Sequence, residues 1–172
     1  MGAASTFRPR LAPGAGTRHH LLPMPTIAAS ASATIAAPAA TVYGILADYR
    51  EGHPSILPRK YFRNLEVEAG GTGAGTRIRF EMRVLGATRL VRGEVTEPEP
   101  GRRLVETYPE SGTRTTFLVE PVVDGRAAHV TISTRYENAG LPGWVEWLLV
   151  PGLLRRIYRA ELANLAAVAQ RR

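Results

Sequence analysis

The clearest pattern in the chain lies between Thr76 and Leu85, where Ile78, Phe80, Met82 and Val84 alternate with Arg77, Arg79, Glu81 and Arg83. Period-two alternation predicts a strand with one buried and one wet face. Five further segments read the same way: Leu65 and Val67 among Asn64, Glu66 and Glu68; Ala87 to Thr96; Leu104 to Tyr108; Thr113 to Val123; and Ala127 to Glu137. Gly70 to Gly75, Gly86, Pro98-Glu99-Pro100-Gly101, Ser111-Gly112 and Asp124-Gly125 punctuate them as turns and loops. Ser32 to Ile35 alternates as an edge strand would. Six or seven antiparallel strands at this spacing predict a strongly curved sheet or partial barrel.

Two stretches change to a helical period. After Pro38, suited to a first helical turn, Val42, Ile45, Leu46 and Tyr49 form one apolar stripe, with Asp48 and Arg50 facing away. A second short helix or turn spans Glu51 to Leu57, between Pro54 and Pro58. From Pro142 the chain is again helical. Trp144 to Val150 is almost wholly apolar, and Pro151-Gly152 predicts a kink. Leu154, Ile157, Tyr158, Leu162 and Leu165 then make a stripe, with Arg155, Arg156, Arg159 and Glu161 mostly off it. This helix is about 28 residues, roughly 42 Å, and so apolar a helix needs the curved sheet around it.

Composition narrows the function. The formal charge of +7 resembles a polyanion-binding signal until it is located. Arg8, Arg10, Arg18, Arg171 and Arg172 sit in the ends, which leaves 17 bases against 15 acids between Ser30 and Gln170. A body at +2 argues against nucleic acid as a partner. There is no cysteine, hence no disulfide or thiolate metal site. No apolar run reaches the roughly 18 residues of a membrane span. Residues 1–29 read as a disordered arm, with Met24 an alternative start, and 30–170 as one domain. The arm is Arg-containing and acid-free, like a transit peptide, but Ser30, Ser32 and Thr34 interrupt the apolar stretch after it. A cytoplasmic location is expected.

The order of strand, two short helices, six strands and long terminal helix is that of the helix-grip fold, an α+β architecture. It resembles the SRPBCC superfamily: START-like lipid carriers, birch-pollen-allergen-like proteins and polyketide cyclase/dehydrase-like proteins. The residues that carry the resemblance are Ala33 to Pro38 with Val42, Leu46 and Asp48; the turn Gly71 to Gly75; Gly93-Glu94-Val95 ahead of Glu97-Pro98; Phe117 to Pro121; and the terminal helix. Asp48-Tyr49-Arg50 to Leu57-Pro58 faintly resembles the coenzyme Q-binding branch. The resemblance implies a cavity between sheet and helix and no shared catalytic set.

Candidate chemistry is sparse. The Gly71-x-Gly73-x-Gly75 run precedes a strand, so it reads as a flexible hairpin loop rather than as a phosphate loop; the resemblance implies that such a loop rims the cavity and gates entry. His53 reads as a solvent-facing turn residue, with a general base at the cavity mouth as the alternative. His129 is placed on an outer strand face, and the four scattered histidines give no metal spacing and no metal or other cofactor. Glu97 and Glu99 read as a solvated loop. Ile78, Phe80, Met82, Val95, Phe117, Val119, Ile132 and Leu154 are core residues that become cavity lining if sheet and helix do not fully close. Thr134, Tyr136 and Tyr158 are the polar groups on those inward faces. Trp144 and Trp147 either cap the open end or touch a membrane peripherally. Three functions compete. The first is binding of a small, largely apolar molecule of lipid, quinone or aromatic polyketide type. The second is a polyketide cyclase or dehydratase, with Arg92 and Glu94 its candidates if they point inward. The third is an interaction module with a filled core.

Overall fold

A computed structural model describes residues 28–84, 86–122, 124–136 and 144–172; the side chains at 28, 84, 136 and 144–150 fall outside that description. The elements run β1 (Ala28–Ile35), α1 (Ala39–Ala47), α2 (Gly52–Ile56), β2 (Phe62–Ala69), β3 (Arg77–Val84), β4 (Ala87–Glu99), β5 (Arg103–Tyr108), β6 (Thr113–Val122), β7 (Ala127–Tyr136) and α3 (Trp144–Ala169). The strands form one antiparallel sheet in the order β1-β7-β6-β5-β4-β3-β2. The helix-grip arrangement and the edge position of the first strand are as the pattern predicts. The arm read over residues 1–29 is too long at its end, because Ala28 and Ala29 already pair with Arg135 and Thr134 as the start of β1; the rest of that arm, the strand ends at Leu85, Val123 and Glu137, and the reading of Trp144 and Trp147 as cap or membrane contact lie outside the described residues and side chains.

The period-two segments sort as their chemistry requires. Ile78 and Phe80 are buried while Arg77 and Arg83 are exposed. The β6–β7 pairing sets Phe117 opposite Ile132 and Val119 opposite Val130, and all four are buried. Helix α3 packs against β1, α1 and α2. Its Ile157 and Leu165 are completely enclosed, each contributing roughly 1.5–3 kcal/mol of apolar burial. The helix runs unbroken through Pro151.

Several local readings need correction. Strand β4 continues to Glu99, so Pro98 and Glu99 are strand rather than loop. Proline has no N–H to give the ladder, and the β4–β5 register accordingly shifts between Thr96 and Glu99. Glu97 is not a solvated loop residue. Its carboxylate accepts from the Tyr43 hydroxyl at 2.5 Å and from the Ala74 N–H at 2.8 Å. Glu99 pairs with Arg102 and Arg103. The glycine turn is tied down rather than free. Tyr49 N donates to Gly71 O, Gly73 N to Ala47 O and Gly75 N to Val95 O, at 2.9–3.0 Å, and Arg50 reaches Gly70 O at 2.6 Å. Gly73 takes φ +57° with the Glu97 carboxylate where a Cβ would stand, a position that favours glycine.

Asp48 joins α1 to α2. Its carboxylate accepts the N–H groups of Arg50, Glu51 and Gly52 at 3.1–3.2 Å. Burial would raise its pKa, but these donors and the charge of Arg172 outweigh it and hold the carboxyl below its ordinary value. This tight turn swings Tyr49 and His53 inward.

Candidate functional site

Between the inner sheet face, α2 and α3 lies a cavity of about 450 Å³. Ile78, Phe80 and Met82 of β3, Phe117 of β6, Thr134 of β7, and Leu154 and Tyr158 of α3 all line it. Val95, Val119 and Ile132 do not. They are buried in the contiguous core with Val42, Ile45 and Leu46 of α1, so a shared strand face serves the cavity over only part of its length. Tyr136 lies on β7, but its side chain is outside the description. None of Gly70 to Gly75 lines the cavity, so the glycine turn is no gate to it. Its ties to α1 and β4 explain why.

The wall carries a polar cluster that the sequence reading missed. Glu106 of β5 is 4% exposed. One of its oxygens accepts from the Tyr49 hydroxyl at 2.6 Å, and the other accepts from the Tyr108 hydroxyl. Burial, and then the charge and hydrogen bond of Glu106, push both phenols well above the ordinary tyrosine range. Both therefore stay protonated and act as donors.

His53 is a correction. It is not solvent-facing but 2% exposed, stacked on Tyr49 with ring centroids 4.5 Å apart and edge-on to Phe117 at 5.5 Å. Its Nδ1 lies 2.8 Å from the Leu46 carbonyl oxygen. A carbonyl only accepts, so Nδ1 bears a proton. Nε2 then faces Glu106 at 3.5 Å.

Glu161 is the second correction. It lies on the inward stripe of α3, 2% exposed, and lines the cavity. Its Oε1 is the one buried side-chain oxygen or nitrogen without a hydrogen-bond partner among the described residues. Burial first, and the charge of Glu106 second, raise its pKa well above the carboxylate range. A third polar run crosses the same space: Thr115 Oγ1 lies 2.7 Å from Thr134 Oγ1, which in turn bonds the Tyr158 hydroxyl.

Position explains each residue. Glu106 shares its strand parity with Leu104 and Tyr108. Glu161 stands seven residues after Leu154 and four after Ile157, on the same helical face. The signal in both cases is a polar residue at an apolar period. Arg92 and Glu94, by contrast, point outward and are exposed, with Arg92 near Glu68 and Glu110. Among the described residues no group of three His, Asp or Glu is placed to hold a metal ion. No helix among them is long and apolar enough to cross a membrane.

Comparison with known proteins gives one family and many structures of like fold. The family model described as polyketide cyclase / dehydrase and lipid transport matches residues 26–170. The solution structure of the KanY protein is 26% identical, with TM-score 0.73, covering 86% of this chain and 99% of its own. Zhui aromatase/cyclase from Streptomyces sp. R1128 is 19% identical, with TM-score 0.68, covering 86% and 95%. A START superfamily protein from Mycobacterium smegmatis is 15% identical, with TM-score 0.66, covering 84% and 97%. The family match bears out the SRPBCC resemblance, and the neighbours bear out the helix-grip fold. No curated protein matches the chain.

Proposed function

The chain belongs to the polyketide cyclase / dehydrase and lipid transport family, and from that premise we propose that it binds a small, largely apolar molecule between sheet and α3. The observation that carries this reading is the cavity of about 450 Å³, within the roughly 300–1,000 Å³ of small-molecule sites. Its lining is mostly apolar with a few convergent polar groups, the usual constitution of such sites. Rings of Phe62, Phe80, Tyr108 and Phe117 stand on its walls, which favours a planar quinone or aromatic polyketide over a lipid chain. The binding unit in this reading is residues 30–170, located in the cytoplasm and acting without nucleic acid, metal or other cofactor. Native mass spectrometry of the full chain against quinones, aromatic polyketides and lipids tests it. Binding that Leu153→Trp on the wall abolishes supports the reading; a chain empty against all three classes overturns it.

A second reading, an acid–base enzyme of cyclase or dehydratase type, is favoured by one observation. His53, Glu106 and Glu161 are ionisable groups inside the cavity, where such chemistry needs them. Its test is loss of one water from an added aryl β-hydroxyketone, read by mass spectrometry, and a product equal to that of the His53→Ala variant refutes it. The interaction-module reading has less support: the core is not filled, and among the described residues Leu90 is the one large apolar side chain well exposed.

A further inference from the structure

We propose that Glu161 is the recognition point of the cavity, where its carboxylic acid donates a hydrogen bond to a carbonyl oxygen of an uncharged ligand. The inference rests on the binding reading above and names the ligand class that the site selects.

Four observations lead to it. Glu161 is buried on the cavity wall with Oε1 unpartnered, and a buried polar atom without a partner is costly enough that native structures rarely keep one. An ionised carboxylate there would need donors, and among the described residues none donates to Oε1. The titratable groups lining the same space are His53 from α2, Arg89 from β4, Glu106 and Tyr108 from β5, and Tyr158 from α3. Arg89 is exposed on its strand. Nε2 of His53 faces Glu106. Tyr108 donates to Glu106, and Tyr158 is bonded to Thr134. The raised pKa of Glu161 agrees with this geometry: the group holds its proton and is a donor, as a carboxylic acid in an apolar site can be at neutral pH.

The same inventory decides the partner. A ligand carboxylate would bring a further negative charge beside Glu106 in a low-dielectric space. An ammonium carries three donors and would have to share the Glu106 oxygens with Tyr49 and Tyr108, and the hydroxyls of Thr115, Thr134 and Tyr158 with one another. A carbonyl oxygen needs the one donor that Glu161 offers.

Three probes of nearly one shape separate these cases: 2-acetylnaphthalene, 2-naphthoate and 2-naphthylmethylammonium, titrated calorimetrically into the full chain and its variants. The ketone binds best, with the carboxylate weaker by about tenfold or more. Glu161→Leu loses on the order of tenfold in ketone affinity, whereas Glu161→Gln, which keeps an N–H donor, stays within about threefold. Ketone affinity of the wild type falls as pH rises through the Glu161 titration, and that of Glu161→Gln does not. Wild-type-like binding by Glu161→Leu, tighter binding of the ammonium, or a pH profile shared with Glu161→Gln overturns the assignment while the cavity reading stands. If no probe binds and the chain is also empty against the wider ligand classes, the binding reading fails and the assignment falls with it.

Discussion

Replacing Glu106 with alanine should cost the fold more than any other single polar change in the cavity. The carboxylate is the common acceptor of Tyr49 and Tyr108 and faces His53 at 3.5 Å. It thereby ties the α1–α2 turn to β5. Tyr49 is wholly enclosed, so its hydroxyl has no water to turn to in the variant. A hydrogen bond to a charged group contributes about 1.5–3 kcal/mol, and an orphaned buried donor costs about 1–3 kcal/mol. Tyr108 lines the cavity, and a water admitted there can replace part of its loss. The balance is a loss of roughly 2–4 kcal/mol, a large share of the roughly 5–15 kcal/mol that holds a domain together. For a chain of this length it lowers Tm by about 4–16 °C. Glu106→Gln keeps the shape. Its carbonyl accepts from one phenol and its NH2 donates to the other, so its cost is nearer 1 kcal/mol. Urea unfolding at neutral pH, followed by far-UV circular dichroism, measures both at unchanged slope. A double-mutant cycle with Tyr49→Phe then isolates the pair, with an expected coupling of about 1–3 kcal/mol. A Glu106→Ala chain within about 0.5 kcal/mol of wild type, the range of neutral surface changes, refutes the anchoring role.

Glu161 makes stability depend on pH. Its folded pKa lies above the ordinary 4.5, so its contribution is complete below that value and is lost as pH rises through the folded pKa; wild type should weaken relative to Glu161→Gln over this window, and parallel pH–stability profiles refute the burial argument. Gly52→Ala places a Cβ 2.5 Å from the Ile45 carbonyl oxygen, a clash with backbone that should cost about 1–3 kcal/mol or more in the same unfolding assay. Gly93→Ala meets the Tyr108 ring at 2.8 Å; the ring can swing into the cavity, so the variant should lose ligand affinity more than stability, and unchanged affinity for a bound aromatic probe argues against Tyr108 as a wall.

What could be read from the chain, and what could not, follows from how each feature is written in it. Strand β3 and the stripe of α3 are local facts: every side chain is sorted by its near neighbours in sequence, so period alone places Ile78 and Leu165 inside. The glycine turn is half local. Its φ values need glycine, but whether it swings or stays depends on Ala47, Arg50 and Val95, which sequence spacing does not bring to it. Glu106 is wholly non-local. It meets Tyr49 across 57 residues, and nothing in Leu104 to Tyr108 announces the partner. Glu161 was nearer to hand, because its place on the stripe of Leu154, Ile157 and Leu165 follows from helix geometry, and only its charge spoke for the outer face. A charged residue at a core position is therefore better read as a group with a task than as an error in the period.

The cavity itself is hardest to see, because it is an absence of packing. Ile78, Phe80 and Phe117 beside it are apolar like Val95, Val119 and Ile132 in the solid core. Both sets lie on the inward face of their strands, and both are almost completely withdrawn from solvent. Hydrophobic pattern reports only withdrawal from water; it does not say whether protein or empty space lies on the other side. Polar side chains do distinguish the two. A solid core tolerates few groups such as Glu106, Thr115, Thr134, Tyr158 and Glu161 on facing elements, since each needs a partner. Where several converge on one space and one oxygen stays unpaired, the space is better understood as built for a molecule than as a fault in packing.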